Sequence, residues 1–490
     1  AALREAVRTR PVPRVRGELR AVNCVPYTPD RPIPVNLVLN GVTSTRMDVK
    51  LAHHACEQLL QYEVEPLVAW AALAPGVPGG HCMHAVLRRA WRELLRNQPH
   101  DSICACSTDA VAADLLTRFR HCQQYARAAR HEALTSLFAA YGITPAISAG
   151  GQSYVLVHPC PHAASHGALV EFQLPEALAQ PPRFALADAD GAALPAVLEA
   201  VSDESVTQVK LGWYEANCRT AAISLAPGVR SGYSMQAVRV VPGQAMPRRR
   251  WRTVARATLR NDLLAVTITA SGRIDLHDRV RDMVYTDLLS FEDGGDAGDT
   301  YTYAPPARDS VLRMQPEITR IEYGGDTPVV RRARVHAVLR VPQSLTATRR
   351  ARARTLVTLP LLLELAVWDA SDMLEVRITV HNTARDHRLR CCVHTGARTQ
   401  QVWSEGHFDM QSRPHAMPPP PRDAWIEDAP TTFNNKRFVA ACDGTRGLAV
   451  ITHGLQEHQL LPAHAGALAI TLLRCVGWLS LPNLRTRACN

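Results

Sequence analysis

Apolar residues recur at a helical spacing in the first third of the chain. They return every three to four positions, which is the repeat of an amphipathic helix. This pattern predicts three helices, at residues 57–73, 83–98 and 109–138. A proline- and glycine-rich segment at 75–80 separates the first two. Helices with such short connections pack side by side, so we expect an antiparallel helical unit.

The same periodicity predicts which side chains of these helices are buried. The expected apolar face of the second helix consists of Leu87, Ala90, Trp91, Leu94 and Leu95. The expected inner stripe of the third helix consists of Val111, Leu115, Phe119 and Cys122. Ser107 or Thr108 is placed to cap the N-terminus of that third helix.

Beyond Gly142 the helical spacing gives way to alternation of apolar and polar residues, which is typical of strands. The clearest examples are Leu264, Val266 and Ile268, and then Leu374, Val376, Ile378 and Val380. Turn signals occur at 293–295, 324–326 and 443–444, and linkers or long loops are expected at 144–151, 242–250 and 418–421. Helices do not alternate with these strands, which favours antiparallel sandwiches. The predicted fold class is α+β and multi-domain, a three-helix middle domain followed by antiparallel β-sandwich domains.

Composition excludes several classes of protein. The 490 residues are 46% hydrophobic and 20% charged, values that exclude a disordered or fibrous chain. No apolar stretch approaches the roughly 18 residues of a membrane helix, so no membrane association is expected. No export signal is visible, so we expect a cytoplasmic protein whose 13 cysteines are reduced.

The net charge of +10 comes almost entirely from arginine, since only three of the 55 basic residues are lysines. The densest runs, 248–250 and 349–354, lack the regular aromatic interleaving of a single-strand binding groove. Nucleic acid is therefore not an expected partner. A nucleic-acid-binding protein remains an alternative, and binding whose affinity falls steeply with salt concentration would support it.

The densest group of chemically active residues is the segment 97–106, between two predicted helices. Pro99 ends the preceding helix, which leaves His100 and Asp101 on a short connection. An imidazole beside a carboxylate suits zinc ligation, with the carboxylate orienting a ligand or holding a substrate hydroxyl. From spacing alone, a capping or surface pair is the favoured interpretation. A metal site that joins His100 to Cys104 and Cys106 is disfavoured relative to buried, inert thiols.

Other candidate groups have simpler interpretations. Asp293, Asp296 and Asp299 could suggest calcium, but the spacing is not that of an EF-hand, and a solvated loop is the favoured interpretation. The histidines His381, His387 and His394 are interpreted as surface or edge-strand residues. Trp213, Tyr214 and Trp425 are candidate platforms for a non-catalytic carbohydrate-binding protein.

Several segments, in order along the chain, resemble the glycoside hydrolase family 38 α-mannosidases, especially the bacterial branch that includes mannosylglycerate hydrolase. The strongest is 91–104, with the sequence WRELLRNQPHDSIC. The others are GVTSTRM at 41–47, GDTYTYAPP at 298–306, 382–390 ending DHRLR, HFDM at 407–410 and CVGWLS at 475–480. Ala105 stands where glycine is usual in that family.

The resemblance implies a zinc-dependent retaining α-mannosidase acting on an α-mannoside or a mannosylglycerate-type substrate. By the same resemblance, His100 is a zinc ligand, Asp101 contacts the bound sugar and Tyr301 reaches it from the β region. In the family a catalytic barrel precedes the helical domain. The expected nucleophile and acid/base therefore lie upstream of Ala1, and no catalytic residue is expected in this chain.

The resemblance also sets the expected domain boundaries. Residues 1–30 are expected to be the end of the barrel, and 31–145 the helical middle domain that carries the His-Asp turn. Residues 146–246 are expected to form a small β-sandwich domain, and 247–490 a large one that is incomplete at its C-terminus. A homo-oligomer is the default expectation for a bacterial-type enzyme. If the barrel is truly absent, sugar binding or a scaffold role replaces catalysis.

Overall fold

The computed structural model describes nine stretches of the chain. These are 39–77, 81–143, 147–148, 151–179, 182–210, 214–243, 245–415, 431–464 and 466–480. The predicted barrel remnant at 1–30, the proline run at 418–421 and the C-terminal residues 481–490 lie outside them. So do Trp213, Trp425 and the side chain of Tyr214.

The first part of the described chain is helical. A 3₁₀ turn at Asn40–Thr43 leads into one long helical rod made of α1 (Met47–Gln58), a π-helical segment (Leu59–Val64) and α2 (Glu65–Leu73). Then follow α3 (His81–Leu95), the single-turn α4 (His100–Ile103) and the long α5 (Asp109–Ala140). The rod, α3 and α5 pack around one apolar core, which contains Leu60, Leu115 and Phe119. The three-helix prediction is therefore confirmed.

The prediction placed the start of the first helix too late, because the helix begins at Met47 rather than residue 57. The extra residues include Asp48, Lys50 and two histidines, which hide the apolar period. Two predicted core residues are also on the surface, since Leu95 is 57% exposed and Val111 is 38% exposed. Each lies at the end of its helix next to the His-Asp turn.

A small sandwich of two antiparallel sheets follows the helices. One sheet has the order β1-β2-β7-β4, with strands Ile147–Ser148, Gly151–His158, Ser234–Pro242 and Phe184–Ala187. The other has the order β3-β6-β5, with strands Ala168–Pro175, Tyr214–Leu225 and Ala196–Lys210. A one-turn helix, α6 (Glu176–Ala179), follows β3. Phe172, Phe184 and Ile223 are among the side chains buried between the two sheets.

Four further antiparallel sheets form the rest of the described chain. A four-stranded sheet has the order β12-β11-β10-β9, with strands Met283–Tyr285, Ile274–Asp278, Leu264–Ile268 and Ala257–Arg260. A five-stranded sheet has the order β18-β17-β16-β15-β8, with strands Leu374–Val380, Leu356–Trp368, Val330–Pro342, Glu317–Tyr323 and Arg252–Val254. The predicted alternation in β10 and β18 is confirmed, since burial alternates along both strands.

The other two sheets carry the segments that meet the helices. A six-stranded sheet has the order β14-β13-β19-β26-β25-β22, with strands Leu312–Met314, Leu289–Gly295, His387–His394, Ala467–Cys475, Glu457–Leu461 and Phe433–Asn434. A four-stranded sheet has the order β21-β20-β23-β24, with strands Met410–Pro414, Gln401–Glu405, Phe438–Cys442 and Gly447–Ile451. Within the stretches described above, no helix is long and apolar enough to cross a membrane.

The turn signal at 293–295 was wrong, because these residues complete the buried strand β13. Gly295 lies where an added Cβ would come within 2.9 Å of Pro306, so the glycine serves close packing. The signals at 324–326 and 443–444 do fall between paired antiparallel strands. The domain boundaries themselves stay predictions.

Candidate functional site

The His-Asp turn is held at the surface by a short helix. Pro99 has extended dihedral angles (φ −48°, ψ 137°) and directly precedes α4, which starts at His100. The side chain of His100 is 91% exposed and that of Asp101 is 66% exposed. Imidazole Nε2 and the Asp101 Oδ2 are 3.5 Å apart, a loose contact between two groups that face solvent. Both are therefore accessible to a ligand.

The backbone of the turn, by contrast, is tightly fixed. The Ser107 hydroxyl donates to the Asp101 carbonyl at 2.8 Å. Ala105 is fully buried at a φ of +61°, a left-handed conformation that costs a residue with a Cβ roughly 1–2 kcal/mol. That conformation is the physical reason why glycine suits this position. Thr108 takes the N-cap backbone position of α5, but no side-chain capping bond is present there.

Tyr301 lies on a loop that packs beside this turn. The Asp299 carboxylate accepts hydrogen bonds from the backbone N–H groups of Tyr301 (2.9 Å) and Thr302 (3.0 Å). The Thr300 carbonyl accepts from the Cys106 thiol at 3.9 Å, which joins the loop to the turn. Burial, and then the neighbouring Cys106 and Asp101, raise the pKa of Tyr301. The phenol therefore stays protonated at neutral pH and lies within electrostatic reach of Asp101.

A buried arginine connects this loop to the helical part of the chain. Arg474 on β26 donates to the Asp296 carboxylate at 2.7 Å and to the Gly41 carbonyl at 2.8 Å. It also donates to the carbonyls of Asp299 (2.7 Å) and Thr302 (3.0 Å). Both charged side chains are fully buried. Arg474 thus fixes the Tyr301 loop against the segment that leads into α1.

The acidic cluster is not the solvated loop that was predicted. Asp293 and Asp296 are both fully buried. Asp293 is bonded to Arg352 and to His387, the latter at 2.6 Å. Placing these charges inside the sandwich requires such partners, because an unpaired buried charge is very costly. Their carboxylates are therefore structural.

The histidine prediction was wrong for one of its three residues. His387 is fully buried on β19, a central strand of its sheet, rather than at a surface or an edge. His381 is exposed and His394 is half-buried. Sequence alone could not separate them, because the partner of His387, Asp293, lies 94 residues away in the sequence.

The arginine runs also serve internal contacts. Arg249 is buried and donates to Glu199 at 2.9 Å and 2.7 Å. Arg349 pairs with Asp386 at 2.8 Å and stacks over Trp478. Arg249 in the first run, and Arg349 and Arg352 in the second, therefore make contacts within the β-sheet part of the chain.

The residues described do not make a complete metal centre. They contain no group of three or more His, Cys, Asp or Glu side chains placed to hold a metal. Burial raises the pKa of Cys104, and it raises the pKa of Cys106 to about 11, so both are neutral thiols at pH 7. The His100 imidazole has the donor chemistry of a zinc ligand, but a single imidazole does not make a metal site.

The described chain thus consists of a helical part that carries an exposed His-Asp turn and of antiparallel sheets that follow it. Residues 38–137 match the family model of the alpha mannosidase middle domain. This match, together with the relatives described next, confirms the resemblance to glycoside hydrolase family 38.

Three relatives extend the similarity over most of the chain. A protein of Halalkalibacterium halodurans named "Putative mannosylglycerate hydrolase" is 23% identical, over 90% of this chain and 51% of its own length. An alpha-mannosidase from Enterococcus faecalis V583 has a similar fold, with a TM-score of 0.79 and 22% identity over 92% of this chain and 53% of that one. A glycosyl hydrolase family 38 protein from Enterococcus faecalis gives a TM-score of 0.76 and 22% identity, over 92% and 55%. The chain spans about half the length of these relatives.

Proposed function

We propose that this chain is the helical and β-sandwich portion of a zinc-dependent, retaining α-mannosidase. In this proposal His100 is one zinc ligand, and Asp101 and Tyr301 contact the bound sugar. The complete enzyme hydrolyses terminal α-mannosidic bonds. Its substrate is an α-mannoside or a mannosylglycerate-type compound, the latter because a relative carries that name.

The single observation that carries the proposal is the arrangement around the His-Asp turn. Two side chains with the chemistry for a metal and a hydroxyl are exposed on a backbone that is held by a hydrogen bond from the Ser107 hydroxyl and by the buried Ala105. Precise sites are built on such supported elements. A surface pair without a role would not need a buried arginine to bring a third polar side chain, Tyr301, close to it.

The zinc part of the proposal fits His100 because an exposed neutral imidazole is a common zinc ligand. When bound, zinc would hold two sugar hydroxyls and favour a ring distorted towards the oxocarbenium-like transition state. Asp101 has only acceptor oxygens when ionised, so it accepts a hydrogen bond from a sugar hydroxyl. Tyr301 keeps its proton and donates to a sugar oxygen.

The proposal is tested with the full-length gene product. Zinc content and hydrolysis of 4-nitrophenyl α-mannoside and of mannosylglycerate are measured for the unmodified protein, for His100→Ala and for His131→Ala. His131 is also exposed, but it lies 22 residues along α5 from that helix's start, roughly 33 Å away. We expect His100→Ala to lose zinc and nearly all turnover, and His131→Ala to keep both.

Two results would contradict this assignment. Full zinc content and activity in His100→Ala would exclude His100 as a ligand. Mannose binding without turnover by the unmodified full-length protein would instead favour the non-catalytic carbohydrate-binding alternative. The predicted cytoplasmic location and oligomeric state stay predictions, which fractionation and light scattering would test.

A further inference from the structure

The structure contains a buried lysine directly behind the His-Asp turn. Lys50, on α1, is only 2% exposed. Its Nζ donates to the Cys104 carbonyl at 3.0 Å, and within the described stretches no carboxylate forms an ion pair with it. Burial lowers the pKa of Lys50 to about 7. A buried ammonium without an acidic partner is unfavourable for the stability of the fold. A role in holding its hydrogen-bond acceptor in place would account for its presence.

Its acceptor is the residue that ends the turn. The Cys104 N–H donates to the His100 carbonyl at 2.9 Å and closes α4. The Cys104 carbonyl lies beyond that helix and has no partner within it, as is usual at a helix C-terminus. Lys50 supplies a hydrogen bond there, immediately before Ala105 with its left-handed backbone.

Side-chain donors therefore hold the turn at both of its ends. Ser107 donates to the carbonyl of Asp101, and Lys50 donates to the carbonyl of Cys104, which also accepts a long hydrogen bond of 3.7 Å from the Cys106 thiol. The titratable groups near Lys50 include Asp48, Arg46, His53 and the two cysteine thiols of the turn. Lysine is also the rarer choice in this arginine-rich chain, and its compact ammonium is smaller than a planar guanidinium.

We propose that Lys50 is a positioning residue that sets the orientation of the His100-Asp101 turn for binding of metal and sugar. The inference rests on the proposed function for the roles of those two residues. Lys50 itself contacts neither zinc nor substrate. It acts by holding the Cys104 carbonyl, and through it the short helix that starts at His100.

The test uses Lys50→Met in the full-length protein, since methionine fills similar space without the donor. Lys50→Gln serves as a conservative variant that keeps an N–H donor. Lys436→Met is the matched control, because Lys436 is partly buried and pairs with Glu57 on the same helix, away from the turn. For each variant we measure the thermal midpoint, the zinc dissociation constant, kcat and KM, and amide hydrogen exchange of the peptide 99–107.

Lys50→Met is expected to unfold at the same temperature or higher, because it removes a buried charge. Exchange of 99–107 should nevertheless become at least tenfold faster, and zinc affinity and kcat should fall about 10- to 100-fold, as for supporting residues of metal sites. Lys50→Gln should recover part of each loss, and Lys436→Met should show none of them.

Unchanged exchange and unchanged zinc affinity in a folded Lys50→Met variant would overturn the inference. So would a loss of activity that merely follows a loss of folded protein in both Lys50 variants. Failure of the proposed function is distinguishable, because it would be seen as full zinc content and turnover in His100→Ala. The exchange measurement still decides whether Lys50 fixes the turn in that case.

Discussion

Replacement of Arg474 by methionine tests whether the buried ion pair joins the helices to the sandwich. The Arg474→Met change leaves Asp296 fully buried without its counter-ion. Removing one partner of a buried pair costs about 3–5 kcal/mol. Asp296 keeps hydrogen bonds from the backbone N–H groups of Gly298 (2.9 Å) and Ala304 (3.3 Å), which favours the lower half of that range.

Hydrogen exchange is the appropriate assay, because a chain with several domains need not unfold in one step. We expect amides of 41–47 and of β26 to exchange roughly 10²-fold faster, which corresponds to about 3 kcal/mol at 1.4 kcal/mol per tenfold change. The double variant Arg474→Met with Asp296→Asn should recover much of the protection, since the unpaired charge is gone.

The matched control is Arg340→Met, which removes an ion pair of 2.8 Å with Glu317 in which both side chains are more than half exposed. Exposed pairs of this kind contribute little, so exchange should change less than about fivefold. Equal effects of Arg474→Met and Arg340→Met would refute the reasoning. Protection lost in β26 but kept in 41–47 would show that Arg474 stabilises the sandwich without connecting it to the helices.

Three further predictions concern the Tyr301 loop, acid stability and the sugar contact. Gly298→Ala should destabilise by about 1–3 kcal/mol in urea unfolding, because its Cβ would lie 2.0 Å from the Thr302 carbonyl, whereas Gly477→Ala, with nothing within 4 Å, should change little. Burial lowers the pKa of His458 from 6.5 to about 3. Between these two pH values the imidazole is therefore protonated in the unfolded chain and neutral in the folded one. Stability should fall as pH drops through that window by up to about 1.4 kcal/mol per unit, and a slope unchanged in His458→Gln would contradict this. Asp101→Asn should lower kcat about 10- to 100-fold while zinc content stays at the level of the unmodified protein; equal loss of both would assign Asp101 to the metal instead.

Local patterns predicted the elements because the helical and strand periods are local properties of the sequence. The alternation at 264–268 and 374–380 marks real strands. The same rule failed at the ends of helices, because the spacing of apolar residues does not show whether a neighbouring element covers them. Leu95 and Val111 have the right spacing for burial, yet they flank the His-Asp turn and remain exposed.

Charged residues were the hardest to predict, since their environment depends on distant partners. Asp296 follows a glycine pair and looks like a loop residue, but its partner Arg474 is 178 positions away. Lys50 carried a weak signal, as one of only three lysines, but its acceptor is a backbone carbonyl that no motif specifies. Sequence could place His100 and Asp101 on a turn, and the resemblance suggested Tyr301 as a further contact, but only the fold shows the hydrogen bond from Cys106 to Thr300 that joins the Tyr301 loop to the turn.

The most direct measurement is a crystal structure of the full-length protein with anomalous scattering recorded at the zinc edge. The account predicts one zinc per chain, with a nitrogen of the His100 imidazole about 2.0–2.1 Å from the metal. It also predicts that the peak disappears in His100→Ala crystals and persists in His131→Ala crystals. A zinc peak bound elsewhere, with the His100 side chain still facing solvent, would contradict the central claim.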